Sequence, residues 1–199
     1  MSSNIAPRDR LDRPIGLAVI VASTREGRRG RALTDWLVAR MADRPDIVVD
    51  EIDLDDLDLP TRFGFGANAA VEDLRRRVDE ADAFLVVTPE YNHSYPASLK
   101  HAIDFVKDPW KRKPVGFVSY GGVSGGLRAV EHLRGVFNEL HAHGIRDTVS
   151  FHGPWNGFDD HGRPGDEPGA TAALGVVLDD LVWWGSALAV ARDAVMFAP

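Results

Sequence analysis

The chain has no cysteine among its 199 residues. That excludes disulfides, thiolate zinc sites, iron–sulfur clusters and a cysteine nucleophile, and it is compatible with a cytoplasmic protein. Positive charge is in deficit: 23 Lys and Arg stand against 30 Asp and Glu, a formal net charge of −7. Such a balance argues against a nucleic-acid partner, which asks for a broad basic face. Uninterrupted apolar runs of membrane-spanning length are missing too. The stretch 170–191 comes nearest, and Asp179 and Asp180 interrupt it, so no membrane partner is expected. No internal repeat and no low-complexity segment is visible. Residues 1–13 are polar and charged and lack the apolar core of a signal peptide; they read as a flexible leader before one domain over 14–199.

Several catalytic signatures are also missing. No Gly-Lys-Ser/Thr closes a P-loop, no G-x-G-x-x-G marks a dinucleotide fold, and no G-x-S-x-G elbow marks an α/β-hydrolase. No H-E-x-x-H is present, and His132, His141, His143, His152 and His161 make only a weak metal pattern, so no metal site is assigned.

What remains is an ordinary globular composition with a regular alternation. Apolar runs at 15–22, 47–54, 81–88, 114–120 and 145–151 read as buried strands. Between and after them, helices are expected at 31–41, 68–80 (Asn68 as N-cap), 96–106, 125–143 (ended by Gly144) and 170–191. Five strands alternating with five helices predict an α/β fold: a five-stranded parallel sheet with helices on both faces. The ligand site of such a sheet lies beyond the carboxyl ends of its strands.

Three loops fall on that edge. After strand one comes Ser23-Thr24-Arg25-Glu26-Gly27-Arg28-Arg29-Gly30-Arg31. Hydroxyls and guanidinium forks leading into a helix N-terminus suit an anion, and a terminal monophosphate better than a bridging pyrophosphate. After strand three, Thr88-Pro89-Glu90-Tyr91-Asn92-His93-Ser94-Tyr95-Pro96 offers flat packing and amide groups within a proline-stiffened loop. An ordinary turn fits it equally well. After strand four, Tyr120-Gly121-Gly122-Val123-Ser124-Gly125-Gly126 has the glycine density of tight geometry or close approach to a ligand.

These segments, with Leu99-Lys100 and Ala102-Ile103-Asp104 downstream, resemble the NADPH-dependent FMN reductase family over about 15–151. The resemblance implies a flavodoxin-like three-layer sandwich. It implies an FMN-dependent oxidoreductase that takes electrons from NADPH or NADH and passes them to a small acceptor: a flavin, quinone, azo compound or metal oxyanion. It implies that Ser23, Arg25, Arg28, Gly30 and Arg31 hold the phosphate, that Pro89, Glu90, Tyr91 and Asn92 flank the flavin ring, and that Tyr120, Gly121, Gly122 and Ser124 approach its pyrimidine edge. No protein residue is assigned a catalytic step, because the flavin carries the hydride. A flavodoxin-like electron carrier or flavin-binding regulatory module is the alternative. A homodimer or homotetramer is expected, with Leu99, Ile103, Phe105, Leu133, Phe137 and Leu140 as surplus apolar residues on the third and fourth helices. The acidic run Asp50, Glu51, Asp53, Asp55, Asp56 and Asp58 reads as a solvated edge. The long loop 152–169, with Trp155 and Phe158, reads as either a border of the acceptor pocket or a segment anchored to the body.

Overall fold

The computed structural model describes residues 13–62, 64, 67–153, 157–159 and 162–194. Five strands, β1 (Ile15–Val21), β2 (Ile47–Asp53), β3 (Ala83–Pro89), β4 (Pro114–Gly121) and β5 (His143–His152), form one sheet in the order β2-β1-β3-β4-β5. Every pairing is parallel. The helices are α1 (Gly30–Met41), α2 (Ala69–Glu80), α3 (Ala97–Phe105), α4 (Leu127–Glu139) and α5 (Glu167–Ala194).

Alternation along the strands splits the core in two. Ala18, Ile20, Phe84, Val86 and Phe117 face Leu74 and Val78 of α2, Leu99 and Ile103 of α3, and Leu133 and Phe137 of α4. Leu17, Val19, Leu85, Val87 and Val118 face Leu33 and Leu37 of α1 and Leu174, Leu178 and Leu181 of α5. Two covered faces explain why β3 and β4 are buried along their whole length. This is the flavodoxin-like arrangement.

Asn68 caps α2 as expected, its side chain accepting from the Val71 amide at 3.0 Å. Other expectations change. The fourth helix stops at Glu139, not at 143, because His141 takes the left-handed turn (φ 57) and the Ala142 amide closes on Phe137 O. Gly144 belongs to β5. The last helix, expected at 170–191, runs for 28 residues over Glu167–Ala194, and despite Asp179 and Asp180 it is by length and composition long and apolar enough to cross a membrane. Here it lies along the sheet, and Asp179 pairs outward with Arg44 at 2.8 Å. Of the expected leader, 1–12 lie outside the described residues, but Arg13 is tied down. It grips the buried Asp82 at 2.6 Å, which also accepts from the Gly16 amide and from Arg192 of α5. The six apolar residues expected to be surplus on α3 and α4 all serve the core: Leu99, Ile103, Leu133 and Phe137 are buried in it, and Phe105 and Leu140 pack on it. They give no argument for a partner subunit.

Candidate functional site

β1 and β3 are neighbours, and their following helices leave to opposite faces. A crevice opens at that switch point. It is a cleft of about 290 Å³ lined by Ser23, Arg25, Glu26, Gly27, Arg28 and Arg29 of the first turn, Pro89, Glu90 and Tyr91 of the second loop, and Tyr120, Gly121 and Gly122 of the third. The three loops do converge. Gly30, Arg31, Asn92 and Ser124 do not line it.

The arginines of the first turn divide into two pairs. Arg28 donates to Ser23 O at 2.9 Å and to the buried Asp53, and lies 3.3 Å from Asp55. Arg31 pairs with Asp35 on its own helix and with Glu51. Asp50 is taken by Arg77 of α2 at 2.9 Å. The acidic run is therefore a solvated edge only in part: Asp55, Asp56 and Asp58 are exposed, whereas Asp50, Glu51 and Asp53 are counter-ions for arginines on the neighbouring elements. Arg25 and Arg29 have no acidic partner among the described residues, and both face the cleft. Arg29 is also the N-cap of α1, with no side-chain capping bond and no acidic residue in the first turn after it. Exposed amides, an uncompensated dipole and two free guanidinium groups make an anion site.

Hydroxyls line its floor. Ser23 Oγ is buried and lies 2.7 Å from Tyr91 Oη. Tyr120 reaches from β4 across to the same turn. A Cβ on Gly30 would sit 2.7 Å from its hydroxyl, which is why only glycine fits there. Burial, and then the neighbouring Tyr91, push the Tyr120 phenol far above its ordinary value, so it stays neutral beside Ser23 and the Gly30 backbone. The Tyr120 hydroxyl thus lies beside the first turn. Asn92 instead forms, with His93, the tip of a two-residue turn closed by Tyr91 and Ser94 (φ 49 and 73).

The third loop is polarised. Gly121 O accepts from the Gly153 amide at 2.9 Å, Val123 O meets His152 Nδ1 at 3.2 Å, Ser124 O accepts from Leu127, and Gly125 O accepts from Ser119 and Ser150 hydroxyls, each at 2.9 Å. Among the described residues no acceptor is paired with the Gly122, Val123 or Ser124 amides. Most of the loop's carbonyls are thus engaged within the protein, while these three amides stay available as donors, Gly122 on the cleft wall itself. Glu90 lines the cleft, and its carboxylate is engaged by the third loop and the start of α4: it accepts from Ser124 Oγ, from Arg128 N at 3.2 Å and from Arg128 Nη1 at 3.0 Å. Burial alone would raise the Glu90 carboxyl, but these bonds and the guanidinium charge outweigh it and hold the value below normal.

A second cleft of about 220 Å³ lies on the far side of the first turn, between Gly27–Arg29 and Ala32 on one wall and Phe158, Asp159 and Gly162 on the other. Phe158 packs on Phe151 (ring centroids 5.0 Å apart) and its backbone bridges Pro164. The described part of the long loop is therefore anchored to the body, beside the anion site. Trp155 lies outside the described residues.

Strand order 2-1-3-4-5 with a cleft at its switch point defines an α/β domain of flavodoxin-like fold. The chain belongs to the NADPH-dependent FMN reductase family, whose model matches residues 15–156. It is similar to a probable NADPH:quinone oxidoreductase 1 of Oryza sativa subsp. japonica, 43% identical over 107 residues covering 49% of this chain and 54% of that protein. A second rice protein, probable NADPH:quinone oxidoreductase 2, is 36% identical over 128 residues, 60% of this chain and 63% of that one. The chain thus spans just over half the length of these curated relatives. Among solved structures it is similar to the flavoenzyme NAD(P)H:(acceptor) oxidoreductase FerB of Paracoccus denitrificans, with a TM-score of 0.69 at 26% identity over 86% of this chain and 97% of that one.

Proposed function

We propose that this protein binds FMN in the 290 Å³ cleft and uses it to pass electrons from NADPH or NADH to a small acceptor such as a quinone. The observation that carries the reading is the pairing of two unlike sites on one edge: an uncompensated anion site at α1 and an unpaired amide array at 122–124. FMN presents a phosphate at one end and a carbonyl-bearing pyrimidine edge at the other, so its two ends match the two sites. The Arg25 side chain, Ser23 Oγ and the first amides of α1 hold the phosphate. Pro89 and Tyr91 supply a flat wall, and the 122–124 amides face the ring edge.

When bound, FMN supplies the redox chemistry: it accepts a hydride from the nicotinamide and yields electrons to the acceptor. The protein's share is binding, orientation and electrostatics. Amide donors aimed at the pyrimidine edge favour the negative charge that builds there on reduction. The neutral Tyr120 hydroxyl adds no competing negative charge beside the phosphate. The names of the rice and Paracoccus relatives support a nicotinamide donor and a quinone or similar acceptor.

Steady-state NADPH and NADH oxidation by the FMN-loaded protein, with and without a quinone, tests this. Turnover that depends on both partners supports the reading. FMN binding with no nicotinamide oxidation identifies an electron carrier or a flavin-binding module instead.

A further inference from the structure

The glycine loop 122–126, which follows β4, has no regular structure of its own, and its free amides depend on what holds it. Its carbonyl side is held by β5 through Gly153, His152 and Ser150. Its other end is held by one carboxylate. Glu90 is almost wholly buried (9% of its side chain exposed) and takes three donors from the loop and from the start of α4: Ser124 Oγ, Arg128 N and Arg128 Nη1. The contact is close on the backbone side as well. A Cβ on Gly121 would lie 3.3 Å from Glu90 Cβ and 2.9 Å from the Gly126 amide nitrogen. The Glu90 amide in turn donates to Tyr120 O at 3.0 Å. Two of the three site loops are therefore stitched together at a single residue.

We infer that Glu90 is a positioning residue: through Ser124 and Arg128 it fixes the glycine loop so that the 122–124 amides meet the flavin ring. The inference rests on the flavin reading above and adds to it the part that makes the ring-edge site rigid. It separates Glu90 from the residues beside it in sequence. Among the described residues, Pro89 and Tyr91 line the cleft with no side-chain bond to the glycine loop, whereas the Glu90 carboxylate is taken up by Ser124 and Arg128 and acts through the loop.

The carboxylate also sits at the N-terminus of α4, where negative charge is favoured. Gly126 caps that helix in a left-handed conformation with no side-chain capping bond. Glu90 supplies from another loop the cap that the helix lacks. The carboxylate therefore ties the start of α4 to the glycine loop, and its loss removes that tie while the core contacts of α4 remain.

The test titrates FMN and riboflavin into the flavin-free protein and its Glu90→Ala, Glu90→Gln and Arg128→Ala variants, following flavin fluorescence. Loss of hydrogen bonds to a charged group predicts that Glu90→Ala weakens both ligands by the same factor, about tenfold or more. The phosphate end is untouched, so the FMN-to-riboflavin ratio stays at its wild-type value. Glu90→Gln keeps an oxygen for Ser124 and for the Arg128 amide, so it recovers most of the lost affinity. Glu90→Ala combined with Arg128→Ala is no worse than Glu90→Ala alone. Hydrogen exchange of 121–126 in the flavin-free Glu90→Ala protein rises while β3 and β4 stay protected. If Glu90→Ala does not fold, Ser124→Ala and Arg128→Ala carry the same ratio test. Unchanged riboflavin affinity in Glu90→Ala, or full additivity with Arg128→Ala, overturns the inference and leaves the flavin reading standing. A wild-type protein that binds neither ligand overturns the flavin reading itself.

Discussion

Arg25 and Arg28 stand three residues apart in one turn and have different work. Arg28 is neutralised by Asp53 and holds the turn's shape, whereas Arg25 keeps its charge for a ligand. Arg25→Ala should weaken FMN by about 1.5–3 kcal/mol, the range for a hydrogen bond to a charged group, and riboflavin much less. Paired titrations check this, and equal losses for the two ligands would contradict it. Gly126 makes a different demand. Its φ is +89, and a Cβ would lie 2.7 Å from Ser119 Cβ and 2.8 Å from the Tyr120 amide. Gly126→Ala combines left-handed strain with a backbone clash and should cost roughly 2–4 kcal/mol of stability, read by urea unfolding. The glycines and the free arginine were legible in the sequence. The division of the arginines was not. Glu51 and Asp53 reach them only because β2 pairs with β1 in the register that sets Glu51 beside Val19 and Asp53 beside Val21.

At the scale of elements, the strands were legible because both faces are covered and their apolar runs are continuous. The end of α4 was misread because a histidine, rather than the nearby glycine, adopts the left-handed turn. That the Tyr120 hydroxyl lies beside Gly30 of the first turn is not legible in the sequence, because its side chain spans the strand between β4 and β1, a path that strand order alone reveals. Two elements carry predictions. Lys113 at the start of β4 is buried and donates to Val78 O and Asp79 O at the end of α2, each at 2.7 Å, a favourable place for a cation. Burial, and then the nearby Arg192, push its pKa down to about 8. The folded value lies below the unfolded one of about 10.4. Burying the charge therefore costs stability below pH 8, and that cost is removed as pH rises from about 8 to about 10.4. Relative to Lys113→Met, the wild type should gain stability across that window; a flat difference by thermal or urea unfolding would contradict it. In the loop after β5, Phe158 is an anchor on Phe151. Phe158→Ala should lower stability by about 0.5–1.5 kcal/mol for the lost ring pair, plus its lost burial, and change kcat/KM for different acceptors by one common factor. A change confined to one acceptor class would assign the loop to specificity instead.

Across the whole molecule, the two ends of the sheet have separate tasks. At the end away from the cleft, Asp82 gathers Arg13, Arg192 and the Gly16 amide and pins α5 to the sheet. At the carboxyl end, the loops turn Arg25, Arg29, the start of α1 and Gly122 toward one cleft. The central claim is that a flavin placed there moves electrons in both directions, and its two half-reactions test it most directly. Under anaerobic conditions, adding NADPH or NADH to the FMN-loaded protein should bleach the oxidised-flavin absorbance. A quinone added after the nicotinamide is consumed should restore that absorbance. If a chemical reductant bleaches the bound flavin and neither nicotinamide does, the protein is not the reductase described here.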